Sequence, residues 1–170
     1  MAEFLWESRV WLQYGACALL FLLSLRSGAM PERILSGLFV AMPISDALYH
    51  LAARGAIYLG TLNAGHFFID AAAFAIAFAV ALFANRIYPL WIAGVQLIAL
   101  LSHFYKLVLG DFNLLAYQIM QTMPSYLQVV VLACGVIAHI LRRKTMGSYP
   151  SWRTSFAPTR AGTPQTSHGA

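Results

Sequence analysis

Long apolar runs separated by short polar breaks dominate the sequence. A lipid hydrocarbon core about 30 Å thick needs about 20 apolar residues in helical form to cross it. Runs of about this length, bounded by charged residues, Pro or Gly, predict five spans: 9–25, 33–52, 63–84, 89–109 and 115–141. The runs are continuous, and helices satisfy the backbone polar groups of such runs in lipid. The pattern therefore predicts an all-α integral membrane bundle of five transmembrane helices.

The composition agrees with a membrane protein. Apolar residues make up 60% of the chain and charged residues only 10%, whereas soluble domains are about a quarter charged. A cytosolic enzyme, a secreted disulfide scaffold and a disordered chain are thereby excluded. Cys17 and Cys134 both lie inside apolar runs, so we expect two small buried hydrophobic side chains.

The basic residues predict the orientation of the bundle, because Lys and Arg are enriched in cytoplasmic loops. A cytoplasmic C-terminus places eight of them on the cytoplasmic side: Arg26, Arg33, Arg86, Arg142, Arg143, Lys144, Arg153 and Arg160. Only Arg9, Arg54 and Lys106 then lie outside. With five spans, the N-terminus is predicted to lie outside.

The predicted spans divide the chain into two regions. Residues 1–144 form the predicted transmembrane domain, and residues 145–170, rich in Ser, Thr, Pro and Gly, form a predicted disordered cytoplasmic tail. The net charge is +5, but the basic residues mark the ends of apolar runs instead of clustering on a folded surface. We therefore expect the lipid bilayer, and no nucleic acid, as the partner.

The few polar residues inside the spans share one helix side and one depth. At 1.5 Å per residue, most of them fall about 20 to 25 Å above the cytoplasmic boundary. The candidates for this polar layer are Asp46, His50, His66, Asp70, His103 and Gln128, of which His66 lies somewhat nearer the outside. The sequence thus predicts one polar layer in the outer half of the bilayer.

The spacing within this layer suggests its chemistry. Asp46 with His50, and His66 with Asp70, are spaced i, i+4 and so share a helix face. Such a pair lets a carboxylate orient an imidazole, or lets both bind a metal. A structural role in helix association is an equal alternative for each Asp, because intramembrane carboxylates face the bundle interior. We expect His103 to face inward and to approach Asp46 or Asp70.

Residues elsewhere in the spans are expected to pack or to anchor. Ala73, Ala77 and Ala81 form a small-xxx-small pattern, which predicts a buried face and places the third span in the middle of the bundle. Phe68, Ile76 and Phe83 should then meet lipid. Aromatic residues near the span ends are predicted to form interfacial belts: Trp6, Trp11, Tyr88, Trp91 and Trp152. His139 is predicted to be an interfacial anchor as well.

One segment carries a resemblance. The stretch RIYPLWIAGVQL, which begins at Arg86 and leads to Ser102 and His103, resembles small multi-span inner-membrane proteins of the alphaproteobacterial type. The likeness covers about a third of the chain and includes no catalytic motif. It implies a multi-pass protein of a bacterial inner membrane, and nothing about activity.

Three function classes stay open. The first in rank is a non-enzymatic accessory or scaffold subunit that associates with other membrane subunits, because so short a chain leaves little material for a soluble active site. The second is a metal- or haem-binding membrane redox protein, with candidate ligands Asp46, His50, His66, Asp70 and His103. The third is a small proton-coupled transporter in which the same groups titrate. No catalytic residue is predicted.

Overall fold

The computed structural model describes residues 2–53, 58–59, 62–108, 114–147 and 149–153. Within these residues the chain forms five helices: α1 (Ala2–Ser27), α2 (Met30–Ala52), α3 (Ala64–Phe83), α4 (Tyr88–Val108) and α5 (Leu114–Met146). Between α2 and α3 along the chain lies a two-residue antiparallel ladder of β1 (Tyr58–Leu59) with β2 (Leu62–Asn63). The fold is therefore helical, as predicted, apart from this short ladder.

The helices pack as a ring in chain order. α1 packs on α2, α2 on α3, α3 on α4, α4 on α5, and α5 returns to α1. α2 and α5 also contact each other across the ring. The expectation that the third span occupies the middle of the bundle is therefore wrong, because α3 packs mainly on its two neighbours in the sequence.

The two faces of α3 are nevertheless those predicted. Ala73 and Ala77 are each 1% exposed, because alanine lets α2 and α4 approach the helix backbone closely. Phe68, Ile76 and Phe83 are exposed on the other side. An apolar exterior of this kind suits contact with lipid.

Among the described residues, four helical segments are long and apolar enough to cross a membrane: Met30–Ala52, Ala64–Phe83, Tyr88–Tyr105 and Thr122–Met146. They give the chain the character of a multi-pass membrane protein. A fifth span formed by α1, and the orientation of the two termini, stay predictions.

The largest differences between helix ends and predicted boundaries occur at two places. α1 begins at Ala2 instead of residue 9, and α5 continues to Met146, past the predicted end at residue 141. The boundary of the predicted tail at Thr145 is displaced as well. Residues 149–153 pack on the α3–α4 connection, where Arg153 N–H donates to the Phe83 carbonyl and Asn85 N–H to that of Ser151. The rest of the predicted tail, 154–170, lies outside the described residues.

Several predicted environments are corrected. Trp152 forms an isolated antiparallel β-bridge with Ala84, and its side chain packs against the apolar core. It is therefore not part of an interfacial aromatic belt. Tyr88 points to a buried carboxylate described below, whereas Trp11 and Trp91 are exposed, as interfacial residues would be. Cys17 is buried, as expected, but Cys134 is exposed. Side chains of residues 1–10, including Trp6, lie outside the description.

Candidate functional site

The end of α2 and the start of α3 are fixed together by three residues. Tyr49 hydroxyl donates to the Asn63 side-chain oxygen at 3.1 Å, and that oxygen also accepts from His66 N–H at 3.5 Å as the N-cap of α3. The Tyr49 ring lies so close to Gly65 that a Cβ there would collide with it. Capping by Asn is favourable because it satisfies an orphan N–H of the first helical turn.

This junction brings Asp46, His50 and His66 together as one cluster. Asp46 Oδ1 lies 2.6 Å from His66 Nε2 and 3.7 Å from His50 Nε2. The two imidazole nitrogens are 3.3 Å apart. All three possible ligand atoms thus lie within 4.8 Å of one another. Two of the residues come from α2 and one from α3, so the cluster depends on how these helices pack.

The cluster is partly open and incompletely hydrogen-bonded. About 40% of each side chain is exposed, yet Asp46 Oδ1 itself is buried and has no hydrogen-bond partner within the described part of the chain. The 2.6 Å contact with His66 is short enough for a hydrogen bond but is not aligned as one. The Tyr49 ring stands 5.2 Å and 6.1 Å from the His50 and His66 ring centroids, which restricts both imidazoles.

Asp70 belongs to a different arrangement, a network across three helices. Its Oδ1 accepts from Gln96 Nε2 at 3.0 Å, and its Oδ2 lies 2.9 Å from His103 Nε2. Gln96 in turn accepts from Gln128 Nε2 at 2.6 Å. His103, Gln96 and Gln128 are each at most 4% exposed. The prediction that His103 faces inward and approaches one of the two acids is confirmed, and the acid is Asp70.

The cluster and the network border one cavity of about 280 Å³. Five of the six polar-layer candidates line it: Asp46, His66, Asp70, His103 and Gln128. His50 does not line the cavity but contacts Asp46 and His66, which do. Pro43 and Pro124 line it too, and each deprives its helix of one backbone donor, as proline does. The structure therefore brings the predicted layer together but divides it into two chemically different halves.

A buried ion pair that the sequence pattern does not indicate lies at the other end of the bundle. Glu32, in the first turn of α2, has no exposed surface and pairs with Arg86 Nη1. Its carboxylate also accepts from Tyr88 hydroxyl at 3.1 Å and from Ala29 N–H at 3.1 Å. Gly135 of α5 makes room for this arrangement, because a Cβ there would come within 2.7 Å of the Tyr88 ring. In the sequence, Arg86 contributes only to the predicted orientation, and nothing in the spacing indicates Glu32 as its partner.

His139 is a second residue whose predicted role is wrong. It is only 7% exposed, and its Nδ1 lies 2.7 Å from Tyr149 hydroxyl. An interfacial anchor would instead keep its polar ring in contact with water and headgroups. The partner, Tyr149, belongs to the segment predicted to be disordered, so no pattern within the spans could indicate the contact.

The comparisons with known proteins supply no relative. No family model matches the chain, and neither a curated protein nor a solved structure matches it. The resemblance to small inner-membrane proteins therefore stays an expectation, and function has to be argued from the site itself.

Proposed function

We propose that this multi-pass membrane protein binds a divalent transition-metal ion at the Asp46–His50–His66 cluster. The observation that carries the proposal is the convergence of one carboxylate oxygen and two imidazole nitrogens within 4.8 Å. Two His and one carboxylate form a common donor set for Zn²⁺ and for Fe²⁺, and such a set leaves coordination positions open for water or another ligand.

The distances support this use. Ligand atoms around a tetrahedral Zn²⁺ stand about 3.3 Å apart, given bonds of about 2.0 to 2.1 Å. The two imidazole nitrogens are separated by 3.3 Å and the His50–Asp46 atoms by 3.7 Å. The His66–Asp46 separation of 2.6 Å is shorter and needs only a small outward movement of one side chain. A metal would also bind the buried Asp46 oxygen, which accepts no hydrogen bond from the described residues.

The same distances argue against a haem held by His50 and His66. Two imidazoles that ligate one haem iron stand on opposite faces of the macrocycle, with their nitrogens about 4 Å apart. Here the nitrogens are closer and converge on the same carboxylate oxygen. The haem variant of the hypothesis is therefore disfavoured for this pair of histidines.

The hypothesis of an accessory subunit is supported by the second half of the polar layer, the network around Asp70. Both Asp70 oxygens have partners, and those partners lie on α4. A fully paired polar network between helices is what a purely structural role requires, at about 1 kcal/mol per hydrogen bond in membranes. We propose that the Asp70 network stabilises the bundle, in a protein of a bacterial inner membrane. Association with other membrane subunits and proton-coupled transport stay hypotheses without a contact to support them.

Metal binding is tested on the full chain purified in detergent. Wild-type protein should bind one Zn²⁺, measured by titration calorimetry, and one Co²⁺, whose visible spectrum reports an imidazole-containing site. His66→Gln should weaken Zn²⁺ binding by at least about a hundredfold, since losing even a residue that only orients a ligand costs 10- to 100-fold.

His103→Gln is the matched control, because it removes a histidine of the same layer that lies outside the cluster. It should leave the Zn²⁺ affinity within about threefold of wild type. Absence of stoichiometric binding to wild type, or equal losses in the two variants, would overturn the proposal.

A further inference from the structure

A second cavity, of about 500 Å³, lies at the end of the bundle that carries Glu32 and Arg86. Its walls come from the α3–α4 connection, from the C-terminal half of α5 and from residues 149–153. The described lining residues include Arg86, Arg142 and Arg153 but neither Asp nor Glu. Three guanidinium groups around one space create a positive potential, which favours an anion.

The ion pair with Glu32 uses only part of the hydrogen-bonding capacity of Arg86. The Arg86 side chain is 5% exposed, and the ion pair uses Nη1. The other two nitrogens, Nε and Nη2, are buried and have no hydrogen-bond partner within the ranges that the structure describes. Buried donors in proteins are almost always satisfied. Nε and Nη2 form one edge of the guanidinium plane, the geometry that binds two oxygens of a phosphate or carboxylate at once.

Tyr149 is in cation–π contact with two of the guanidinium groups. Its ring centroid lies 5.2 Å from the Arg86 guanidinium carbon and 5.8 Å from that of Arg142. The ring stabilises both cations by cation–π attraction. Its hydroxyl is held by His139. Because Nε and Nη2 of Arg86 are buried, a ligand that pairs with this edge requires some movement of the groups that cover it.

The position of the cavity relative to the membrane indicates which class of anion it binds. Arg86 lies between α3 and α4, both of which can span a membrane, so the cavity is at the level where a span ends. Lipid phosphates occupy this level, and basic pockets between transmembrane helices bind anionic headgroups there. We propose that the cavity binds a phosphate group, between Arg86 and Arg142, supplied by an anionic lipid headgroup or by free phosphate.

The test uses the full chain in neutral detergent with a chelator present, so that it is independent of the metal site. Native mass spectrometry with phosphatidylglycerol, and calorimetry with inorganic phosphate, measure the two sources separately. Saturable binding of one phosphatidylglycerol, with phosphatidylcholine at least tenfold weaker, identifies a lipid headgroup. Saturable binding of inorganic phosphate identifies a soluble ligand. If neither saturates, the proposal is wrong.

The matched variants are Arg142→Gln and Arg143→Gln, which remove the same charge from neighbouring exposed positions on α5. Arg142 lines the cavity, whereas Arg143 donates instead to the Ser27 carbonyl. Losing one charge-assisted contact should weaken binding about tenfold in Arg142→Gln, with Arg143→Gln within about twofold of wild type. Equal effects would show attraction by net charge alone and would overturn the site. Arg86 itself is kept, because its loss would strand Glu32 without a counter-charge.

Discussion

Asp46 and Asp70 show how much of a residue's role is set by the helix that it faces. Both are intramembrane acids with a histidine four positions away, and their sequence patterns are nearly the same. Asp70 faces Gln96 and His103 of α4 and is fully paired. Asp46 faces two imidazoles, and one of its oxygens is left without an aligned hydrogen bond. The spacing predicted candidates for both roles, but only tertiary packing could distribute the roles between them.

We predict that Asp70→Ala destabilises the bundle and that Asp70→Asn does so much less. Alanine leaves the buried Gln96 amide and the His103 ring without their acceptor, which costs about 1 to 3 kcal/mol in unfolding free energy. Asparagine can pair with both, because a neutral imidazole can accept where it formerly donated. Reversible unfolding in mixed detergent measures the difference. Equal stabilities of Asp70→Ala and wild type would contradict a structural network.

Among the structural elements, the helices could be predicted from the sequence. Apolar length placed all five, and the alanine stripe gave the buried face of α3. The contacts of residues 149–153 were not predictable, because a short polar segment has no periodicity that indicates where it docks. The Glu32–Arg86 pair was missed for a related reason. The two residues are 54 positions apart, and each taken alone looks like a charge at the end of a span.

The α3 interface gives a prediction at this scale. Replacing Ala77 with Leu should lower the unfolding free energy by about 1 to 3 kcal/mol, because three added carbons overpack a position with almost no exposed surface. Ala75→Leu makes the same change on the exposed side of the same helix and should leave stability within about 0.5 kcal/mol. Unfolding midpoints of the two variants in detergent provide the comparison. If both match wild type, the assigned interface is incorrect.

The whole molecule has two chemically distinct ends. One carries Glu32, the three arginines of the second cavity and the last turn of α5. The other carries the Asp46–His50–His66 cluster at the α2–α3 junction. Since basic residues favour the cytoplasmic side, we expect the phosphate cavity to open toward the cytoplasm and the metal cluster to lie near the outer surface. The loops predict this polarity, and the sequence also named the three residues of the metal cluster among its candidate ligands, but it did not indicate the second cavity.

The last prediction tests this polarity together with the number of spans. A fluorescent protein fused after Ala170 should fluoresce, and alkaline phosphatase at the same place should be inactive, because the former matures in the cytoplasm and the latter only outside it. Alkaline phosphatase inserted at Ala56, in the connection after α2, should be active. An epitope before Met1 should be accessible to antibody in intact spheroplasts if α1 crosses the membrane as a fifth span. The reverse pattern at positions 56 and 170 would contradict the orientation, because the arginine-rich end would then face outward against the basic-residue bias. An epitope accessible only after permeabilisation, with the other two results as expected, would instead leave four spans, with α1 associated with the bundle without crossing.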